Sequence, residues 1–139
     1  MKRILLSALG AMLLTSAVAD DTIQALEEIV KIRQEMLQQG SALYESGRIT
    51  TTELNQRRID LIGAQIDLES ERSNTDKVVG LLSEMIQLQE QKLKELTVQY
   101  QQKMGTFTEV SEQRIQVLRT KVRLTKARAR LAESNDKAE

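Results

Sequence analysis

A phrase that occurs twice, 56 residues apart, constrains this chain more than any other feature. Tyr44, Thr50, Thr52, Glu53, Leu54, Arg58, Ile59 and Leu61 recur as Tyr100, Thr106, Thr108, Glu109, Val110, Arg114, Ile115 and Val117. No gap is needed, and the match spreads outward to Leu26, Glu28 and Leu37, answered by Leu82, Glu84 and Leu93. A repeat of this length says that one supersecondary unit has been used twice. The fold must therefore accommodate two copies of the same local instruction.

That instruction is a turn between helices. The chain has no proline and only six glycines, and its apolar residues recur at spacings of three and four. Both features predict helix nearly throughout. Residues 46–49 interrupt the pattern. Gly47 is a natural left-handed helix terminator. Thr50-x-x-Glu53 is a capping box, with Ile49 and Leu54 placed as a hydrophobic staple across it. Stop and start signals coincide, so the chain reverses there. The second copy has Thr106-x-x-Glu109 at the same offset, with Gly105 as its glycine, closer to the cap and at the staple position.

Four helices follow: about 22–45, continuous through Gly40; 51–72; 76–102; and 107–133, with a polar tail over 134–139. Copy one covers about 22–73 and copy two about 76–133. The expected inward residues of the last helix include Val110, Ile115, Val117, Leu118, Val122, Leu124 and Leu131. The junction Ser73-Asn74-Thr75-Asp76 allows two architectures. All four residues favour caps and turns, and a turn there gives an up-down four-helix bundle of two antiparallel hairpins. Without it, helices two and three fuse into a coiled-coil rod of about 50 residues, roughly 75 Å long. Broad apolar stripes need more than one neighbour, which favours the bundle.

The chain opens with Lys2 and Arg3, an apolar run over Ile4–Leu14, and Ala17-Val18-Ala19 before Asp20. This is the pattern of an export signal, so residues 1–19 are expected to be removed and the remainder to reach the periplasm. Their removal leaves 18 basic against 20 acidic side chains. That near balance gives no basic field for nucleic acid. Histidine and cysteine are absent, which removes the commonest general base, the thiol nucleophile and the soft-metal ligands. Acids are scattered and no phosphate loop is present. No enzyme activity, cofactor or metal is expected. The last helix carries Arg114, Arg119, Lys121, Arg123, Lys126, Arg128 and Arg130 with few acids between. Pairing with the Glu-rich helices of the same chain is the expected role of that face, with anionic lipid as the alternative.

The phrase Tyr44-Glu-Ser-Gly47-Arg-Ile49-Thr50-Thr-Thr-Glu53-Leu54, followed by Arg58-Ile59-x-Leu61 and Ala64, resembles the periplasmic hairpin tip of TolC-type outer-membrane efflux proteins. That family shows Tyr-x-x-Gly, an aliphatic residue, Ser or Thr, two free positions, an acid, then Leu or Val. Its tips narrow the tunnel and dock periplasmic adaptor proteins. The resemblance implies that Gly47, Arg48, Ile49 and Thr50 face such a partner, and that Gly105, Thr106 and Phe107 do so in copy two. It covers two segments of about 30 residues and no barrel, because the chain has no run of 9–11 alternating residues. Three functions are in view: a tip-docking module of an efflux or secretion assembly, a periplasmic chaperone holding unfolded clients, and a self-associating structural coiled coil. Arg48 and Phe107 are the strongest contact candidates, since the turn itself requires neither. Tyr44 and Tyr100, one turn before each tip, are expected to share a hydroxyl hydrogen bond at the bundle end.

Overall fold

The computed structural model describes the backbone of residues 7–137 and the side chains of residues 19–137. Four helices account for nearly all of it: α1 (Ser7–Glu45), α2 (Thr51–Glu71), α3 (Thr75–Gln101) and α4 (Phe107–Asp136). Of the segment read as an export signal, residues 1–6 lie outside the described residues, and 7–18 are described only as α1 backbone. No helix among the described residues is long and apolar enough to cross a membrane. The polar tail expected from 134 onward instead continues α4 to Asp136.

All three connections use one device. Gly47, Ser73 and Lys103 sit in the left-handed region, with φ of 70°, 56° and 61°. In each case the next N–H donates back six residues inclusive. Arg48 reaches the Leu43 carbonyl at 2.8 Å, Asn74 reaches Glu69 at 2.8 Å, and Met104 reaches Gln99 at 2.9 Å. The left-handed residue itself donates to the carbonyl three back: Tyr44, Ser70 and Tyr100 respectively. This is the Schellman arrangement, which satisfies carbonyls that a helix end would otherwise orphan. The fused-rod alternative is thereby excluded, because the chain turns at Ser73.

The second tip is similar to the first but not identical. Lys103, the repeat partner of Gly47, takes the left-handed site. Gly105 serves a different need. A Cβ placed on it would lie 3.4 Å from both Gln99 Cβ and the Tyr100 nitrogen, so it lets the loop close over the end of α3.

Helix starts divide into two kinds. Thr50 and Thr106 form complete capping boxes with Glu53 and Glu109. Asn74, at the start of α3, makes no side-chain cap bond. Its amide instead donates to Glu69 at 2.9 Å. Glu69 is buried and also accepts from Arg72 at 3.2 Å and pairs with Lys77 at 3.6 Å. Arg72 reaches Glu27 of α1 as well. One carboxylate thus gathers three donors at the α2–α3 turn.

Among the described residues, each helix packs on its neighbours in sequence: α1 on α2, α2 on α3, α3 on α4. The pairs are antiparallel, as shown by Arg33 with Asp60 and Glu27 with Arg72 across the first, and by Thr52 with Glu95 and Gln56 with Lys92 across the second. Two antiparallel hairpins therefore form an up-down helical bundle, and among the described residues α1 and α4 do not close upon each other. α1 runs unbroken through Gly40, where α2 crosses closely. Arg57 lies over that glycine and donates to the Met36 carbonyl at 3.0 Å.

The core joins Ile62 and Ile66 of α2, Val78, Leu82, Met85 and Ile86 of α3, and Leu124 and Ala127 of α4. Burial of such aliphatic side chains contributes about 1.5–3 kcal/mol each. α1 places no described side chain in this cluster; its apolar residues facing α2 include half-buried Ile23, Leu26, Val30, Leu37 and Leu43. The inward reading of Ile115, Leu118 and Val122 is corrected. They are 48%, 54% and 54% exposed because α4 has a single neighbour, and Val117 and Leu124 already fill that side. The expected pairing of the basic face is also corrected. Among its seven cations, only Lys121 makes an ion pair among the described residues, with Glu90 at 2.7 Å.

Candidate docking tips

Alternation of direction brings the two repeat turns to one end of the molecule and the Ser73 turn to the other. The tips are not level. Thr52 lies five residues past Gly47 and bonds to Glu95, which lies eight before Lys103, at 2.9 Å. Gln56 and Lys92 show a similar stagger. The second tip therefore leads by two to three residues of helix, about 4 Å.

Local chemistry holds each tip rigid. The Thr50 backbone N–H donates to the Glu53 carboxylate at 2.7 Å, and the Glu53 N–H donates to the Thr50 hydroxyl at 3.2 Å. The second tip repeats both bonds at 2.8 Å and 3.2 Å. The Thr hydroxyls also donate to these carboxylates, at 3.0 Å for Glu53 and 2.8 Å for Glu109. The bonds to the carboxylates hold both below the ordinary value of 4.5: for Glu53 chiefly through the Thr50 backbone N–H, for Glu109 chiefly through the Thr106 hydroxyl. A depressed carboxyl pKa stabilises the fold above the unfolded value, and that contribution is lost as pH falls through the folded value. Acid should therefore loosen both tips together. Carboxyl titration by NMR is expected to give Glu53 and Glu109 midpoints below the ordinary glutamate range. Thr50→Ala should raise the Glu53 midpoint and leave Glu109 unmoved.

The candidate contact residues fall where the turn leaves them. Gly47, Arg48 and Thr50 are exposed, and Ile49 is half-buried beside buried Leu54. Thr106 is exposed, Gly105 is half-buried, and Phe107 is 68% exposed. Phe107 thus does not cover the bundle end. The two tyrosines also do not share a hydroxyl bond with each other. Tyr44 accepts a long one, 3.4 Å, from Thr51. Tyr100 instead faces the Phe107 ring, with centroids 6.2 Å apart and planes tilted by 57°. Thr51 and Phe107 are repeat partners, so one substitution converts a hydroxyl contact into an aromatic one.

Sequence reasoning missed Met104 and Val98. Met104 is 70% exposed, and together with Val98 it borders a shallow, mainly apolar groove on α3 near Lys94 and Glu95. Met104 occupies the position after the left-handed residue, where an apolar side chain normally packs back onto the helix. The residue whose carbonyl its N–H bonds is Gln99, and Met104 stays exposed beside Val98. Among the described residues, no group of three acids, histidines or cysteines is placed to hold a metal ion.

Searches of family models, curated proteins and solved structures found no match. The tips must therefore be judged on their own geometry. They offer two rigid, unequal points: a polar one with Arg48 foremost, and a leading apolar one built from Met104, Phe107 and Tyr100.

Proposed function

We propose that this chain is an exported helical interaction module of the periplasm that docks a protein partner through its tips, as part of an envelope efflux or secretion assembly. The observation that carries this reading is Phe107. The only phenylalanine in the chain stands 68% exposed on the leading tip, where the cap requires no aromatic residue. Apolar groups exposed beside a rigid polar frame are what a small docking contact requires. The resemblance of the tip phrase to TolC-type hairpins supports the choice of partner class, a periplasmic adaptor or efflux component.

A photoreactive amino acid at Phe107 or Arg48 should crosslink to a periplasmic adaptor in the cell envelope, whereas one at Gln87, in the middle of α3, should not. Arg48→Ala with Phe107→Ala should abolish copurification of that partner and leave helicity intact. Crosslinks from Gln87 only, or unchanged copurification of the double variant, would contradict the reading.

A further inference from the structure

The sides of the bundle pose a question separate from its tips. α1 and α4 are its two edges, and among the described residues neither touches the other. Each exposes a second apolar stripe. On α1 it is Ile29, Ile32 and Met36, 45%, 48% and 38% exposed. At 100° per residue this stripe lies about a quarter turn from the face that meets α2. On α4 it is Ile115, Leu118 and Val122, which lie nearly opposite buried Val117 and Leu124. A helix apolar on a second face has a second neighbour to bury it against.

Charge says which neighbour. Between Asp20 and Glu45, α1 carries six acids against two bases, and α4 carries seven bases against four acids. Glu28 and Glu35 flank the α1 stripe on its outer side. Arg119 and Lys126 flank the α4 stripe. Both pairs are seven residues apart, so they sit at matching intervals along their helices. None of the four makes an ion pair among the described residues; α1 uses only Arg33 and Glu27 for such pairs, and α4 only Lys121.

We infer that copies of this chain associate head to tail, the acidic apolar edge of α1 in one copy packing against the basic apolar edge of α4 in the next. α1 runs toward the tips and α4 away from them. Their union continues the antiparallel alternation and keeps all tips at one end. Pairing of α1 with α1, or α4 with α4, would set like charges together. An anionic membrane would suit α4 but repel the acid-edged stripe of α1 and leave it bare. The association is heterologous, with each copy using two different faces.

Charge exchange tests this without touching the core or the tips. Sedimentation of the folded chain over about a hundredfold concentration range should show mass increasing with concentration. Glu28→Lys with Glu35→Lys should weaken association at least about tenfold, and so should Arg119→Glu with Lys126→Glu. An equimolar mixture of the two variants should associate again, because each then meets an opposite edge. All four changes in one chain should also restore association. A wild-type chain that stays monomeric throughout would overturn the inference, as would a mixture that stays dissociated. So would a monomeric chain that binds phosphatidylglycerol vesicles through Arg119 and Lys126, or one that binds a hydrophobic dye with its stripes open. Loss of partner crosslinks at Phe107 bears on the tips alone, so the two readings fail separately.

Discussion

Leu82→Ala is expected to cost about 3 kcal/mol and to lower the thermal midpoint by ten degrees or so. Leu82 is 1% exposed on α3 and belongs to the core cluster that α2 and α4 also enter, with Ile62, Ile66, Ile86 and Leu124. Removing its side-chain carbons leaves a cavity that three helices would have to close at once. The cost is a large share of the stability of a small domain, which is on the order of 5–15 kcal/mol. Leu118→Ala is the proper control. It removes the same atoms from a side chain 54% exposed, and the stability of the isolated chain should change by less than about 0.5 kcal/mol. Equal losses at the two sites, measured by denaturant unfolding, would mean that α4 presents a different face to α3.

The second large effect lies in the turns. Gly47 has a φ of 70°, with nothing within 4 Å of where a Cβ would stand. Space is therefore not what demands glycine; the backbone conformation is. Gly47→Val should destabilise by about 2 kcal/mol, since a β-branched residue in that region is strained. Lys103 holds the equivalent conformation at φ 61° with a full side chain. Lys103→Gly should therefore stabilise by about 1 kcal/mol. Opposite signs at repeat-equivalent positions would be hard to obtain unless both turns have the same backbone. Thermal melts of the two variants beside the parent chain read the result directly.

Much of this architecture was legible in the letters. The two capping boxes were readable because a Thr and a Glu three residues apart have few other reasons to precede an apolar run. Gly47 was readable because a left-handed terminator is what glycine does at lowest cost. The second tip was less readable, because its glycine lies at the staple position, while alignment by 56 residues places Lys103 at the left-handed site. Register outranked residue preference there, and the repeat itself contained the answer. The Ser73 turn was open in the sequence because Ser73-Asn74-Thr75-Asp76 has cap and turn residues but neither glycine nor proline to enforce a stop. Glu69, which ties Asn74, Arg72 and Lys77 together, had no signature of its own.

The edges were the least legible part. Ile115, Leu118 and Val122 have the spacing of a core stripe, and so do Val117 and Leu124. Periodicity reports that a face is apolar, not that something within the same chain covers it. Only the order of contacts, with α1 and α4 each meeting a single neighbour, separates the two faces. Of the candidate tip residues, Gly47, Arg48, Thr50, Thr106 and Phe107 are exposed, and Ile49 and Gly105 are half-buried. Met104 and Val98 escaped notice because neither belongs to a capping box or to the buried stripe of α3.

The reversal at Ser73 decides between a bundle and a rod, and one distance measures it. Spin labels at Arg58 and Gln91 would occupy exposed positions on α2 and α3 at nearly the same level. Packed helices place them within about 20 Å of each other, given axes 8–10 Å apart and flexible label arms. A continuous helix through Ser73 would hold them near 50 Å. Pulsed electron resonance should return the short distance; the long one would contradict the fold, and with it the tips and edges derived from it.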